Sequence, residues 1–127
     1  MADGTKVPSG RIVWTDLTVP DAETVRGFYS AVVGWSFEPV RMAGYDDYTM
    51  HPSGGGDPVA GICHARGPNA HLPPQWLVYV AVGDLDHAVR ECRRLGGKVL
   101  DGPRSMGERR FCLIQDPAGA CLALVGP

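Results

Sequence analysis

The sequence lacks the features that mark several large classes of protein. Its apolar runs are no longer than a strand, and residues 1–10 lack the apolar core of a signal peptide. The net charge is −2, and the one basic cluster, at Arg90, Arg93 and Arg94, fits the solvated face of a helix. We therefore predict a cytoplasmic protein that has neither membranes nor nucleic acid as partners.

The four cysteines form no CxxC pair, which excludes a thioredoxin-type redox motif and a zinc knuckle. Cys92, Cys112 and Cys121 lie in apolar runs, where cysteine serves as a small hydrophobic residue. Cys63 and His64 are adjacent, but neighbouring residues of a strand point to opposite faces. The pattern therefore predicts structural roles for Cys92, Cys112 and Cys121, and the Cys63-His64 pair gives no evidence of a metal site.

What the sequence does contain is an internal repeat with an offset of 63 residues, carried by a chain of 127 residues. Val19-Pro20-Asp21-Ala22 ends one apolar run, and Val82-Gly83-Asp84-Leu85 ends another. Gly34 follows the first helical stretch as Gly97 follows the second, and each is expected to supply the left-handed residue that ends a helix. Asp21 and Asp84 are placed to cap the two helices at their start.

Each repeat combines one amphipathic helix with four strands. The helical stripe Ala22, Val25, Tyr29 and Val32 recurs 63 residues later, and strands at 11–19 and 76–82 precede the two helices. The later strand candidates are Trp35–Val40, Asp47–His51 and Val59–His64 in the first repeat and Gly97–Leu100, Arg109–Gln115 and Ala120–Val125 in the second. The pattern predicts an α+β protein: a tail at 1–10, then one domain at 11–127. Within it, βαβββ units at 11–65 and 76–127 are joined by a proline-rich linker at 66–75.

Several short motifs accompany this repeat. They are Val19-Pro20-Asp21 at the strand-to-helix junction, Phe28-Tyr29 in the helix, Gly34-Trp35 after it, and the hairpin Asp116-Pro117-Ala118-Gly119 near the end. In combination they resemble the vicinal oxygen chelate superfamily of glyoxalases, bleomycin resistance proteins and extradiol dioxygenases, over roughly residues 11–126. The resemblance implies a cup-shaped, incomplete barrel with the ligand inside it. It also implies a homodimer, in some members formed by exchanging units.

Metal-dependent members of that superfamily hold a divalent ion through four His, Gln or Glu side chains from the first and last strands of each unit. Matched residue by residue, these positions fall on Trp14, Leu77, Ala123 and either Gly61 or Ile62. None of these side chains has a donor for such an ion. The sequence therefore predicts a member that lacks the metal ligands, with no metal and no other cofactor.

The resemblance also predicts which residues line the cup. They are Trp14, Asp16, Leu77, Tyr79, Ala81, Cys121 and Ala123, with Tyr48 or Thr49 and Met50 from the third strand. Such a lining suits an aromatic or heterocyclic molecule. Asp16, a carboxylate among apolar groups, is expected to have a raised proton affinity and is the candidate catalytic acid or base. Tyr48 and Tyr79 are candidate hydrogen-bond donors to the ligand.

Four functions remain open at this point. The first is a metal-free protein that binds a small molecule, of the sequestration or resistance type. The second is a metal-independent isomerase, cyclase or lyase of secondary metabolism that uses Asp16. The third is a metal-dependent glyoxalase or dioxygenase whose ligands the matching misses, and the fourth is a structural or interaction module. The sequence does not decide whether the chain is an enzyme.

Overall fold

A computed structural model describes residues 8–127. These residues divide into two compact units, which we call the first unit (Trp14–Trp76) and the second unit (residues 8–13 with Leu77–Pro127). Both units repeat the order strand, helix and three strands, so the predicted α+β class with two βαβββ repeats is confirmed. Most of the tail predicted at 1–10 lies outside the described residues.

The first unit contains strands β1 to β4 and one helix. The elements are β1 (Ile12–Val19), α1 (Ala22–Val33), β2 (Ser36–Arg41), β3 (Asp46–His51) and β4 (Ala60–His64). The strands pair in the order β2-β3-β4-β1, with β1 parallel to β4 and the other pairs antiparallel. A short 3-10 helix (Gly67–Asn69) lies within the predicted linker.

The second unit repeats this arrangement with strands β5 to β8. The elements are β5 (Trp76–Ala81), α2 (Leu85–Arg94), β6 (Lys98–Met106), β7 (Arg109–Gln115) and β8 (Cys121–Gly126), paired in the order β5-β8-β7-β6. Strand β6 is longer than predicted, because it continues through Asp101-Gly102-Pro103 with shifts in its register against β7. Among the described residues, no helix is long and apolar enough to span a membrane.

Both helices begin at the predicted aspartates. The side chain of Asp21 accepts a hydrogen bond from the backbone N–H of Thr24 at 3.1 Å, and Asp84 accepts one from His87 at 3.0 Å. Each bond satisfies a backbone donor that has no partner within the helix. The strand-to-helix junctions of the two repeats are therefore equivalent in structure as well as in sequence.

The helix ends agree with the prediction at only one of the two glycines. Gly34 has the expected left-handed backbone, with φ of 84°. After α2 the left-handed residue is Gly96, with φ of 94°, and the prediction for Gly97 is wrong. Gly97 has a different role, since an added Cβ would lie 2.7 Å from the Cys92 sulfur. Its missing side chain lets β6 start directly against the helix.

The hydrophobic core of each unit lies between its strands and its helix. In the first unit the buried core residues are Leu17, Val19, Ala22, Tyr48, Met50, Ala60 and Ile62. In the second they are Leu85, Val89, Cys112 and Leu124. Because side chains alternate along a strand, the residues between these core positions lie on the opposite side of the sheet, which we call the helix-distal face of each unit.

Candidate functional site

The helix-distal face of the first unit carries a row of polar side chains. Strand β1 contributes Trp14, Asp16 and Thr18, which alternate with the core residues. Asp16 lies opposite Gly61 of β4, and Gly61 lies opposite Thr49 of β3. Residues opposite one another in paired strands project to the same side, so these side chains share one surface.

Trp14 and Asp16 are joined by a short hydrogen bond. The indole Nε1–H donates to Asp16 Oδ1 at 2.6 Å, and both side chains are half-buried. Two residues of a strand separated by one other face the same way, so β1 itself brings the two groups together. Hydrogen bonds to an ionised group are shorter and stronger than bonds between neutral groups. The bond fixes one carboxylate oxygen at the N–H edge of the indole.

Gly61 provides the space that the Asp16 carboxylate occupies. A Cβ added at Gly61 would overlap Asp16 Oδ1 and would lie 3.4 Å from Trp14 Nε1. Strand β4, which pairs with the strand of Asp16, therefore has no side chain at the position where one would displace the carboxylate.

Cys63 and Asp47 extend the same surface along β4 and β3. Burial raises the pKa of the Cys63 thiol, and the carboxylates of Asp16 and Asp47 raise it further. Asp47 is itself buried, and its Oδ1 accepts the backbone N–H of His64 at 2.8 Å. Because the thiolate is the reactive form of cysteine, Cys63 is a neutral thiol here and no nucleophile.

His51 connects this face to the glycine-rich loop that precedes β4. Its Nδ1 lies 2.9 Å from the carbonyl oxygen of Gly56, which can only accept, so Nδ1 carries the proton. Nε2 then accepts the hydroxyl of Thr49 at 3.1 Å. The imidazole therefore ties the loop to β3, the strand that carries both His51 and Thr49.

Two of the predicted site residues lie on the other side of the sheet. Tyr48 and Met50 are 6% and 0% exposed and belong to the core beside α1, where the Arg26 guanidinium stacks 4.7 Å from the Tyr48 ring. The predicted placement of Tyr48 and Met50 beside Trp14 is wrong, because both point to the helix side of the pleat. Thr49, the other candidate from that strand, is the residue that shares the surface of Asp16.

The remaining predicted residues lie on the helix-distal face of the second unit. Tyr79 pairs with Ala123, which pairs with Leu113, and Cys121 and Leu77 continue the same face. These side chains are almost entirely buried, apart from the half-buried Cys121.

Sequence reasoning missed three further residues of that face. The Phe111 ring lies 5.9 Å from the ring of Tyr79, and the Arg104 guanidinium lies 4.6 Å from the Phe111 ring. Arg104 also donates to the Asp101 carboxylate at 3.1 Å and 3.2 Å. The period-two alternation of β7 is a signal that could have placed Phe111 on this face. The ion pair between Arg104 and Asp101 gives no such signal, because it depends on the irregular register of β6.

The strand register settles which residue of β4 corresponds to Ala123 of β8. Asp16 pairs with Gly61 as Tyr79 pairs with Ala123, whereas Ile62 is in the core. The four matched metal positions are therefore Trp14, Gly61, Leu77 and Ala123, and none has an oxygen or nitrogen lone pair to give to a cation. Among residues 8–127, no three His, Cys, Asp or Glu side chains converge as metal ligands. These residues do not fit the metal ion of the superfamily.

A separate groove of about 370 Å³ lies on the helix side of the second unit. It is apolar and is lined by α2, including Cys92 and Leu95, and by the turn at Asp116 and Pro117. None of the predicted site residues contributes to it.

The comparison with protein families identifies the fold. Residues 11–124 match the family model described as the Glyoxalase/Bleomycin resistance protein/Dioxygenase superfamily. The chain belongs to this superfamily.

Two curated relatives cover nearly all of the chain. Protein CFP32 of Mycobacterium bovis, which carries a provisional name as a glyoxylase, is 29% identical over 120 residues, covering 94% of this chain and 45% of the relative. DauV, an anthracycline biosynthesis protein of Streptomyces sp. strain C5, is 34% identical over 124 residues, covering 98% of this chain and 44% of the relative. The chain thus spans a little under half the length of these relatives.

Two solved structures share the fold of this chain. A methylmalonyl-CoA epimerase of Streptomyces coelicolor in complex with 2-nitronate-propionyl-CoA is 19% identical, with a TM-score of 0.55, covering 94% of this chain and 98% of the epimerase. A hypothetical protein of Bacillus halodurans is 11% identical, with a TM-score of 0.59, covering 94% and 96%. At these identities the two structures show a shared fold and nothing more.

Proposed function

We propose that this superfamily member binds a small aromatic or heterocyclic molecule at the helix-distal face of the first unit, beside Trp14 and Asp16, without a metal ion. The observation that carries the proposal is the 2.6 Å hydrogen bond that holds the Asp16 carboxylate against the indole of Trp14. It provides a planar apolar surface and a fixed polar group side by side.

The physical chemistry of the two side chains supports a ligand of this class. An indole offers a large, rigid surface for stacking at little cost in conformational entropy, and aromatic rings prefer offset or edge-on contact with one another. A carboxylate held in one orientation selects ligands that place a hydrogen-bond donor next to the ring. Both side chains are half-buried, so each keeps part of its surface in contact with solvent.

The residues at the matched metal positions support binding without a metal. Trp14, Gly61, Leu77 and Ala123 provide an indole, a hydrogen, an isobutyl group and a methyl group in place of four donors. A protein of this composition has to hold its ligand by packing and hydrogen bonding.

The relatives support a small organic ligand. The similar epimerase is in complex with a CoA ester, so the fold accommodates such molecules in at least one relative. DauV is named for anthracycline biosynthesis, and anthracyclines are polycyclic aromatic compounds. This agrees with the stacking surface of Trp14, although the chain spans 44% of that relative.

A metal-independent isomerase or lyase is the second candidate, and the fixed position of Asp16 favours it. A general base has to lie within hydrogen-bonding reach of the proton that it removes, and the bond to Trp14 keeps the carboxylate in one place. In an isomerase, Asp16 would take a proton from an acidic C–H bond of the ligand and return it to a different position. Asp16→Asn should then abolish turnover while ligand binding persists.

We also propose that the protein is a homodimer and that it is located in the cytoplasm. Sedimentation equilibrium of the purified chain tests the dimer, and a single species of 13.6 kDa would contradict it. Fractionation of the producing cells tests the location.

Isothermal titration calorimetry with quinoline, acridine and daunorubicin tests the binding function. We expect at least one of these compounds to bind protein that has been treated with EDTA. Trp14→Leu should weaken that binding by about ten-fold or more, as is usual for a buried aromatic contact. Phe28→Leu, which changes an aromatic residue of α1 that is 57% exposed, is the matched control and should bind normally. Absence of binding by all three compounds, or equal affinity in Trp14→Leu, would contradict the proposal.

A further inference from the structure

The backbone at Gly61 gives no reason for a glycine there. Unlike Gly34, Gly61 does not have a positive φ, so any amino acid can adopt its backbone conformation. It is also buried and paired with strands on both sides, β1 and β3, where glycine usually weakens a sheet. The residue must be explained by the space that its missing side chain leaves.

That space is filled by the carboxylate of Asp16. The two residues are opposite partners in β1 and β4, and a Cβ at position 61 would overlap Asp16 Oδ1. The same oxygen accepts the Trp14 indole N–H at 2.6 Å. The carboxylate therefore lies between the indole and the backbone of β4.

The second repeat provides an internal comparison. Its equivalent pair is Tyr79 and Ala123, which are opposite partners in β5 and β8. There the last strand does carry a Cβ, and the first strand carries no carboxylate. The first repeat thus has a carboxylate on its first strand and no side chain opposite it, whereas the second repeat has a side chain on its last strand and no carboxylate opposite it.

We infer that Gly61 is a positioning residue for Asp16: its missing side chain leaves the space that the carboxylate occupies. Trp14, Asp16 and Gly61 act as one group, in which the glycine makes the space and the indole N–H fixes the carboxylate within it. A side chain at position 61 and the present orientation of Asp16 exclude each other. The effect on ligand affinity rests on the proposed function, whereas the effect on Asp16 does not.

Gly61→Ala tests this inference through the indole N–H resonance of Trp14. In a ¹H–¹⁵N spectrum this resonance is assigned by its loss in Trp14→Phe. We expect Gly61→Ala to move it towards the position of an indole without a carboxylate partner and to speed its exchange with solvent. Gly27→Ala is the matched control, because a Cβ there meets nothing within 4 Å and the backbone is ordinary, and it should leave the resonance unchanged. An unchanged resonance in Gly61→Ala would overturn the inference.

Removing the carboxylate should rescue the alanine at position 61. In an Asp16→Ala background the added methyl group has space, so Gly61→Ala should cause little further loss of stability there. If Gly61→Ala alone fails to fold, folding of the double variant supports the inference, and failure of both overturns it.

A binding measurement separates this inference from the proposed function. Where daunorubicin, which carries hydroxyl and ammonium donors, binds the unmodified protein, Gly61→Ala should weaken it by about ten-fold, the usual effect of losing one hydrogen bond to a charged group. If acridine, quinoline and daunorubicin all fail to bind any variant while the indole resonance shifts as expected, the proposed function is wrong and the positioning role of Gly61 stands.

Discussion

Replacing Trp14 by phenylalanine removes one hydrogen-bond donor while keeping an aromatic ring on the helix-distal face. The lost bond joins the indole N–H to Asp16 Oδ1 at 2.6 Å. Hydrogen bonds to charged groups contribute about 1.5–3 kcal/mol net, and because both side chains are half-buried we expect the lower half of that range, about 1.5–2 kcal/mol. In a chain of 127 residues this corresponds to a fall in Tm of roughly 5–9 °C.

Urea denaturation followed by circular dichroism measures this change. Trp76→Phe is the matched control, because it removes an indole N–H that donates to the uncharged hydroxyl of Tyr29 at 3.1 Å. A bond between neutral groups contributes about 1 kcal/mol, so the loss that comes from the hydrogen bond should be smaller in the control. A double-mutant cycle of Trp14→Phe with Asp16→Ala isolates the interaction energy between these two side chains. A coupling energy below about 0.3 kcal/mol would refute the assignment of a strong bond, since that is the level found for independent sites.

The remaining predictions concern the core, a thiol and a helix cap. Phe111→Ala removes a ring that is 2% exposed and should cost about 3–5 kcal/mol in urea denaturation, whereas Phe37→Ala, at 40% exposed, should cost less than half as much. Burial raises the pKa of the Cys63 thiol, so at about pH 8 Cys63 should react with iodoacetamide about ten times more slowly in the native protein than in the unfolded chain. Peptide mass spectrometry measures the two rates, and equal rates would contradict this prediction. Hydrogen bonds from Thr24 hold the pKa of Asp21 below 3.8, so its stabilising effect is complete above its unfolded pKa and is lost as the pH falls through the lower folded value. Denaturation at a series of pH values below about 6 should therefore show a smaller acid destabilisation in Asp21→Asn, and an identical pH profile would refute this.

The fold could be predicted from the sequence because its signals are local and occur twice. The N-caps Asp21 and Asp84, the two helical stripes and the strands before them each depend on neighbouring residues, and the offset of 63 confirms one copy by the other. The extent of β6 could not be predicted in this way. Asp101-Gly102-Pro103 has the composition of a turn, but pairing with β7 carries the strand through it.

The candidate site was only partly predictable, because it depends on which strand faces which. A shift of one residue in a strand exchanges its two faces, and the mixed composition of Asp46–His51 does not show which side is buried. For this reason the sequence pattern places Tyr48 and Met50 beside Trp14, whereas the structure places both in the core. The role of Gly61 was equally hidden, since it follows from the pairing of β1 with β4 and from the orientation of one carboxylate.

The proposed function depends on the binding of an aromatic molecule to the helix-distal face of the first unit without a metal. The most direct test is a ¹H–¹⁵N titration of the EDTA-treated protein with acridine, or with daunorubicin where acridine does not bind. We expect the largest shifts to fall on the Trp14 indole N–H and on the backbone N–H groups of Asp16 and Gly61. Largest shifts at Cys92 and Leu95 in the groove beside α2, or no shift with either compound, would contradict it.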